Sequence, residues 1–151
     1  METGWVRDAA ILLARIGVGV VFLAHGLRKL AVDGMAETAA GFAEIGVPLA
    51  ALSAWLVALI ELFAGLALVV GVAVPVAGAL LAAVMLGAYL LVHHGRGIFV
   101  DDGGGELVIA LGAASLLLTV TGAGRFGFDG MVGPAVRERM RRRDRSRERV
   151  G

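Results

Sequence analysis

The sequence predicts an all-α integral membrane protein: a four-helix bundle of antiparallel, up-down topology with both termini cytoplasmic. Three observations point there. Apolar residues make up 58% of the 151, a further 23 are glycine, and the mean hydropathy is +0.85. Soluble domains carry about 45–50% apolar residues with glycine included, and one of this size buries only about two-thirds of its unfolded surface. The apolar runs are continuous and do not alternate with polar residues, and aromatic residues are few (six Phe, two Trp, one Tyr). That pattern gives helical spans, not a barrel with aromatic girdles. Basic residues are unevenly placed, which sets the orientation.

The first span runs from about residue 6 to 30, interrupted by Asp8, Arg15, His25 and a closing Arg28-Lys29. The second covers about 48–73, with Pro48 suited to a first helical turn and Glu61 as its one charge. No Asp, Glu, Lys or Arg occurs from Leu62 to Gly95, too long a stretch for one helix, and Pro75 divides it. The third span is then about 76–94, ending on His93-His94, and the fourth about 106–122, opening at Glu106. Four spans return the chain to its starting side. That side holds Arg7, Arg125 and eight tail arginines, ten in all, against Arg28, Lys29 and Arg96 on the other. Basic loops stay in the cytoplasm, so the membrane expected is a bacterial-type inner membrane.

Residues 1–124 thus form the bundle and 125–151 a basic cytoplasmic tail. Between the first two spans, Met35, Ala39, Phe42 and Ile45 recur at helical spacing opposite Glu37, Gly41 and Glu44, as in a short helix lying in the interface. The Gly-rich 95–105 segment is expected to be a flexible cap. From Pro134 onward the tail is a solvated helix or disordered arm near anionic lipid. Small residues at Ala50, Ala54 and Ala58, at Ala79, Ala83 and Gly87, and at Gly17 with Gly19 suit close helix packing in lipid. Arg15 inside the first apolar run, with no small-residue cleavage site, marks a retained helix, not a cleaved signal peptide.

Charged groups within a bilayer are costly and need partners. Counted from the span ends, Arg15 and Glu61 differ in depth by roughly 6 Å at 1.5 Å per residue, so they are expected to form an intramembrane polar pair. At the opposite membrane face His25, Lys29, Tyr89, His93, His94 and Glu106 gather as candidate ligand-binding residues. Tyr89 and His93, four apart, share a helix face, with Met85 and Leu86 supplying an apolar slot. The cup suits hydrogen bonds to a quinone-like headgroup. No HxxxH or ExxH pair sets ligands on one helix, so no metal is expected. With zero cysteines, disulfides, thiolate metal sites and a thiol relay of the chain's own are excluded. There is no Walker loop and no Ser-His-Asp set, and nucleic acid is not an expected partner.

Ala24-His25-Gly26-Leu27-Arg28-Lys29-Leu30, Gly46-Val47-Pro48, Glu61-Leu62-Phe63-Ala64-Gly65 and Gly122-Ala123-Gly124-Arg125-Phe126-Gly127-Phe128-Asp129 together resemble the DoxX family of small four-helix membrane proteins. The resemblance spans Ile11 to Asp129. Ala123 and Gly127 depart from the family's Gly-Pro-Gly-Arg-x-Ser-x-Asp close. By resemblance, His25, Lys29, Glu61, Gly65 and Arg125 match recurring family positions. Relatives include membrane subunits of thiosulfate:quinone oxidoreductase and proteins associated with membrane redox and oxidative stress. The resemblance implies a redox-associated subunit that binds a quinone or similar lipid and works with a partner. Two alternatives stand beside it: a non-catalytic membrane anchor or assembly subunit, and a small-lipid carrier or transporter. The partners expected are membrane lipid, a soluble or membrane redox protein, and further copies of the chain. Whether the protein is an enzyme is left open; if it is, it is a quinone-linked oxidoreductase subunit.

Overall fold

The computed structural model describes residues 2–130; the arm expected from Pro134 lies outside the described residues. Five α-helices follow one another and no strand occurs among the described residues. Helix α1 (Glu2–Leu27) continues through a π-helical turn, Arg28–Asp33. Helix α2 is Met35–Glu44 and α3 is Ala50–Val70. Helix α4 (Val74–Ala88) also ends in a π-helical turn, Tyr89–His93, and α5 is Glu106–Thr121. Pro75, expected to separate two spans, lies in the first turn of α4, whereas Pro48, expected in a first turn, sits in the turn before α3, where its carbonyl accepts a 2.7 Å hydrogen bond from the Ser53 hydroxyl. Gly71, at φ 83°, closes α3 with a left-handed residue and gives its N–H to the Ala67 carbonyl, the usual helix stop.

Three of the four expected spans have spanning length: Gly4–Asp33, Ala50–Val70 and Val74–His93. The fourth, α5, has 16 apolar-rich residues, about 24 Å at 1.5 Å per residue, against a hydrocarbon core of about 30 Å. The outer faces carry exposed Leu13, Leu52, Phe63 and Val120, a surface that contacts lipid.

Helix α1 packs chiefly on α3, and α5 on α4. Glycine makes both seams. A side-chain carbon at Gly26 would lie 2.6 Å from the Leu62 backbone nitrogen, and one at Gly65 would lie 2.7 Å from that of Leu23 and 2.9 Å from the Gly19 carbonyl oxygen. Gly78 meets Ser115 and Thr119 of α5 in the same way. These contacts fix an antiparallel register in which Gly26 faces Ala58 and Leu62 while Gly19 faces Gly65 and Leu68. Of the small residues singled out in the sequence, Ala54, Ala58 and Gly19 lie inside, but Gly17 and Gly87 face open space.

That register corrects the Arg15–Glu61 pairing. Arg15 lies level with Gly71, at the bundle end where α3 turns into α4 (end A). Glu61 faces the His25–Lys29 stretch near the opposite end (end B). About ten residues of α3 separate the two levels, about 15 Å. The 6 Å estimate failed because it assumed span ends in place of the actual helix register. Arg15, 1% exposed, donates from Nη1 to the Ala123 carbonyl at 2.5 Å and lies against Gly71 and Gly127. The segment after α5 is pinned there further by Asp8, which accepts from the Arg125 N–H at 3.5 Å, and by an Asp129 N–H bond to the Gly71 carbonyl. Arg15 therefore serves as the internal clamp of end A.

Candidate functional site

At end B the helices enclose a chamber of about 540 Å³, within the range of small-molecule sites. Helices α3 and α4 are joined at end A and part toward end B, where Val57 and Ile60 face Val84 and Ala88 across the gap, with Phe22 of α1 and Leu111 of α5 behind. Helix α2 closes the top. Its apolar face, with Met35, Ala39 and Phe42 half-buried and Ile45 exposed, packs on α3, a contact the periodicity did not predict, and Glu37, Gly41 and Glu44 are exposed. Phe42 and Ile45 line the chamber, so this helix forms its roof. Leu56, Leu80 and Leu91 line the chamber while remaining exposed. They mark a lateral opening between α3 and α4.

The chamber's polar groups cluster at one end. Lys29 Nζ meets Glu61 Oε2 at 2.5 Å, with the two side chains 18% and 6% exposed. A charge-assisted contact of this length is among the stronger hydrogen bonds, and it satisfies the charge that Arg15 was expected to satisfy. His25 and His93 also line the wall. His93 Nδ1 lies 2.8 Å from the Gly103 carbonyl. A carbonyl only accepts, so Nδ1 carries the proton and Nε2 of the neutral ring is left as an acceptor. The Lys29 ammonium has donors to spare after Glu61 takes one. Donors and acceptors thus stand at the end of an apolar slot.

The two π-helical turns decide which candidates reach this wall. Bonding i to i+5 shifts the helix phase. In the second turn the His94 N–H donates to the Tyr89 carbonyl, and the His94 ring, not that of His93, stands edge-on to Tyr89 at 6.2 Å between centroids. His93 is freed for the chamber. Tyr89 instead lies under Gly105, and Glu106 Oε1 accepts from the Val100 N–H at 2.9 Å, bracing the 95–105 loop. That loop is hydrogen-bonded turn by turn, with Gly104 and Gly105 buried, and is no loose cap. Of the six candidate ligand residues, then, His25, Lys29 and His93 line the chamber; Tyr89, His94 and Glu106 do not. Met85 lines it and Leu86 points outward. Among the described residues no group of three or more His, Asp or Glu is placed to hold a metal ion. Arg125 lies at end A with its side chain 84% exposed, apart from the chamber.

Comparison with known proteins bears on these positions. A family model, DoxX, matches residues 10–94, from α1 through the second π-helical turn. A Bacillus subtilis (strain 168) protein named "Putative oxidoreductase CatD" is 33% identical over 112 residues, 74% of this chain and 80% of its own length. An Escherichia coli (strain K12) protein named "Inner membrane protein YphA" is 28% identical over 133 residues, 85% of this chain and 94% of its own. No solved structure matches. The matched stretch contains every polar group of the chamber wall and ends before α5.

Proposed function

The chain belongs to the DoxX family, and from that premise we propose that it is a redox-associated inner-membrane protein whose end-B chamber binds a quinone or similar bilayer-borne lipid. The observation that carries the reading is an apolar chamber with a lateral opening toward lipid and a wall of Lys29–Glu61, His25 and His93 at one end. A quinone ring needs donors for its carbonyl oxygens and a slot for its chain, and the wall and slot supply both. The redox assignment is supported by the name of the Bacillus subtilis relative, and the membrane by that of the Escherichia coli one. The reading includes a redox partner protein: with no cysteine in the chain, any thiol chemistry would use thiols of a substrate or of that partner.

The binding test is quenching of Trp55, next to the rim residue Leu56, by a short-chain quinone. Gly87 lines the chamber, and a first side-chain carbon there would meet no atom within 4 Å, so Gly87→Phe is chosen to take up chamber space. Affinity is expected to fall at least tenfold in Gly87→Phe. It should fall about five- to tenfold in His25→Ala, the worth of one hydrogen bond of about 1 kcal/mol. Equal affinities in all three proteins would remove the chamber as the quinone site.

The proposed topology is four passes with both termini in the cytoplasm, α5 being the shortest pass. The ten-to-three distribution of basic residues supports it. The chain lacks cysteine, so single cysteines report cleanly. A membrane-impermeant thiol reagent outside the cell should label a cysteine at Asp101, exposed in the same loop, and miss one at Ser146. The reverse result overturns the orientation.

A further inference from the structure

A second hollow of about 440 Å³ lies beside the chamber, walled by Arg28 and Asp33 of the first π-helical turn and by Glu37 and Gly41 of α2. It shares three residues with the chamber: His25, Lys29 and Phe42. The two spaces differ in what they face. The chamber's exposed rim is leucine, suited to hydrocarbon. The second hollow is bordered by charged groups that are costly to place against lipid: the Arg28 side chain is 71% exposed and Glu37 is exposed. Arg28 pairs with Asp33 at 3.3 Å and Lys29 with Glu61 of the chamber at 2.5 Å, while Glu37 makes no ion pair among the described residues. A wall carrying both signs, largely paired, admits small polar molecules of either charge.

We propose that this hollow is an aqueous entrance to the chamber, through which a small, polar, water-borne ligand reaches the lipid ligand at His25 and the Lys29–Glu61 pair. The inference rests on the chamber as a ligand site and adds the second phase from which that site is served. The lipid arrives between α3 and α4, and the polar molecule arrives between α1 and α2. The two meet across a partition one side chain thick, with Phe42 as its apolar part. Such an arrangement suits a protein that brings a bilayer-borne molecule into contact with a water-borne one.

The absence of cysteine allows a direct test in the full-length protein in lipid vesicles. Ala88 lines the chamber but not the second hollow, so Ala88→Cys reports access to the interior. Charged methanethiosulfonates, one cationic and one anionic, do not cross hydrocarbon and so reach the thiol at that position only through water. Both are expected to label Ala88→Cys. A first side-chain carbon at Gly41 would meet no atom within 4 Å, so Gly41→Phe, on the wall of the hollow, is chosen to obstruct it, and Thr38→Phe, on the same wall, is a second block. Each should slow labelling at least tenfold, while Ala40→Phe, exposed on α2 and outside both hollows, leaves the rate unchanged. No labelling of Ala88→Cys by either reagent, or equal rates with both blocking substitutions, overturns the entrance. Quinone quenching in the same variants keeps the two readings apart. Blocked labelling with no quinone binding in any protein upholds the entrance and removes the quinone; unblocked labelling with intact quinone binding does the opposite.

Discussion

Gly65→Val is expected to leave almost no folded protein after extraction into mild detergent. At Gly65 the first added carbon lies 2.7 Å from the Leu23 nitrogen and 2.9 Å from the Gly19 carbonyl oxygen. Both are backbone atoms of a helix and have no rotamer by which to move aside. The α1–α3 seam must open along its length, and it is the most extensive helix contact among the described residues. Overpacking a well-packed core costs about 1–3 kcal/mol when side chains yield. Here backbone must yield, so the loss is placed at or above about 3 kcal/mol. In lipid the seam has little else to hold it, because close van der Waals approach is the main attraction between apolar helices. Gly17→Val supplies the contrast. It lies two residues from Gly19 on the same helix, yet a side chain there meets nothing within 4 Å. Thermal unfolding should therefore show Gly17→Val close to the native protein and Gly65→Val aggregated or unfolded at low temperature. Equal stability of the two would mean that the seam is not closed at Gly65.

The contrast between Gly17 and Gly19 also marks what the sequence could and could not disclose. Continuous apolar runs, Pro75 and the charge-free stretch from Leu62 to Gly95 were enough to find helices α1, α3 and α4. Amphipathic spacing was enough to orient α2. The end-B cup was half legible, because His25, Lys29 and His93 close helices that end at the same level. Register was not legible from span ends. It depends on which glycines face each other, and composition treats Gly17 and Gly19 alike. Had Gly19 been set against Gly65, Glu61 would have fallen beside His25 and Lys29, and Arg15 beside Gly71. The π-helical turns were hidden for a different reason. They add one residue per turn without a sequence signature, and so traded His94 for His93 at the Tyr89 ring. The chamber itself arises from the parting of α3 and α4, a property of tertiary packing that no single helix carries.

Lys29→Met and Glu61→Gln are each expected to destabilise the protein, and the double substitution less than their sum. Glu61 is 4% exposed and meets Lys29 at 2.5 Å at the edge of an apolar chamber. Removing one partner strands a charge away from water, which costs about 3–5 kcal/mol for a fully buried pair. Lys29 retains 18% side-chain exposure beside the polar hollow, so the cost of Glu61→Gln should fall at the lower end, near 3 kcal/mol. Lys29→Met should cost more, since it strands the deeper charge. Removing both leaves an amide and a thioether with no ion to solvate, and a coupling of about 1–3 kcal/mol should appear in the double-mutant cycle. Arg15→Met with Glu61→Gln makes the decisive comparison. Those residues have different partners at opposite ends of the bundle, and sites more than about 7–10 Å apart add within about 0.5 kcal/mol. Unfolding measurements in one detergent on the three single and two double variants decide the matter. Coupling between Lys29 and Glu61 with additivity between Arg15 and Glu61 fits the structure; the reverse assignment of coupling would restore the Arg15–Glu61 pair and displace the chamber's polar wall.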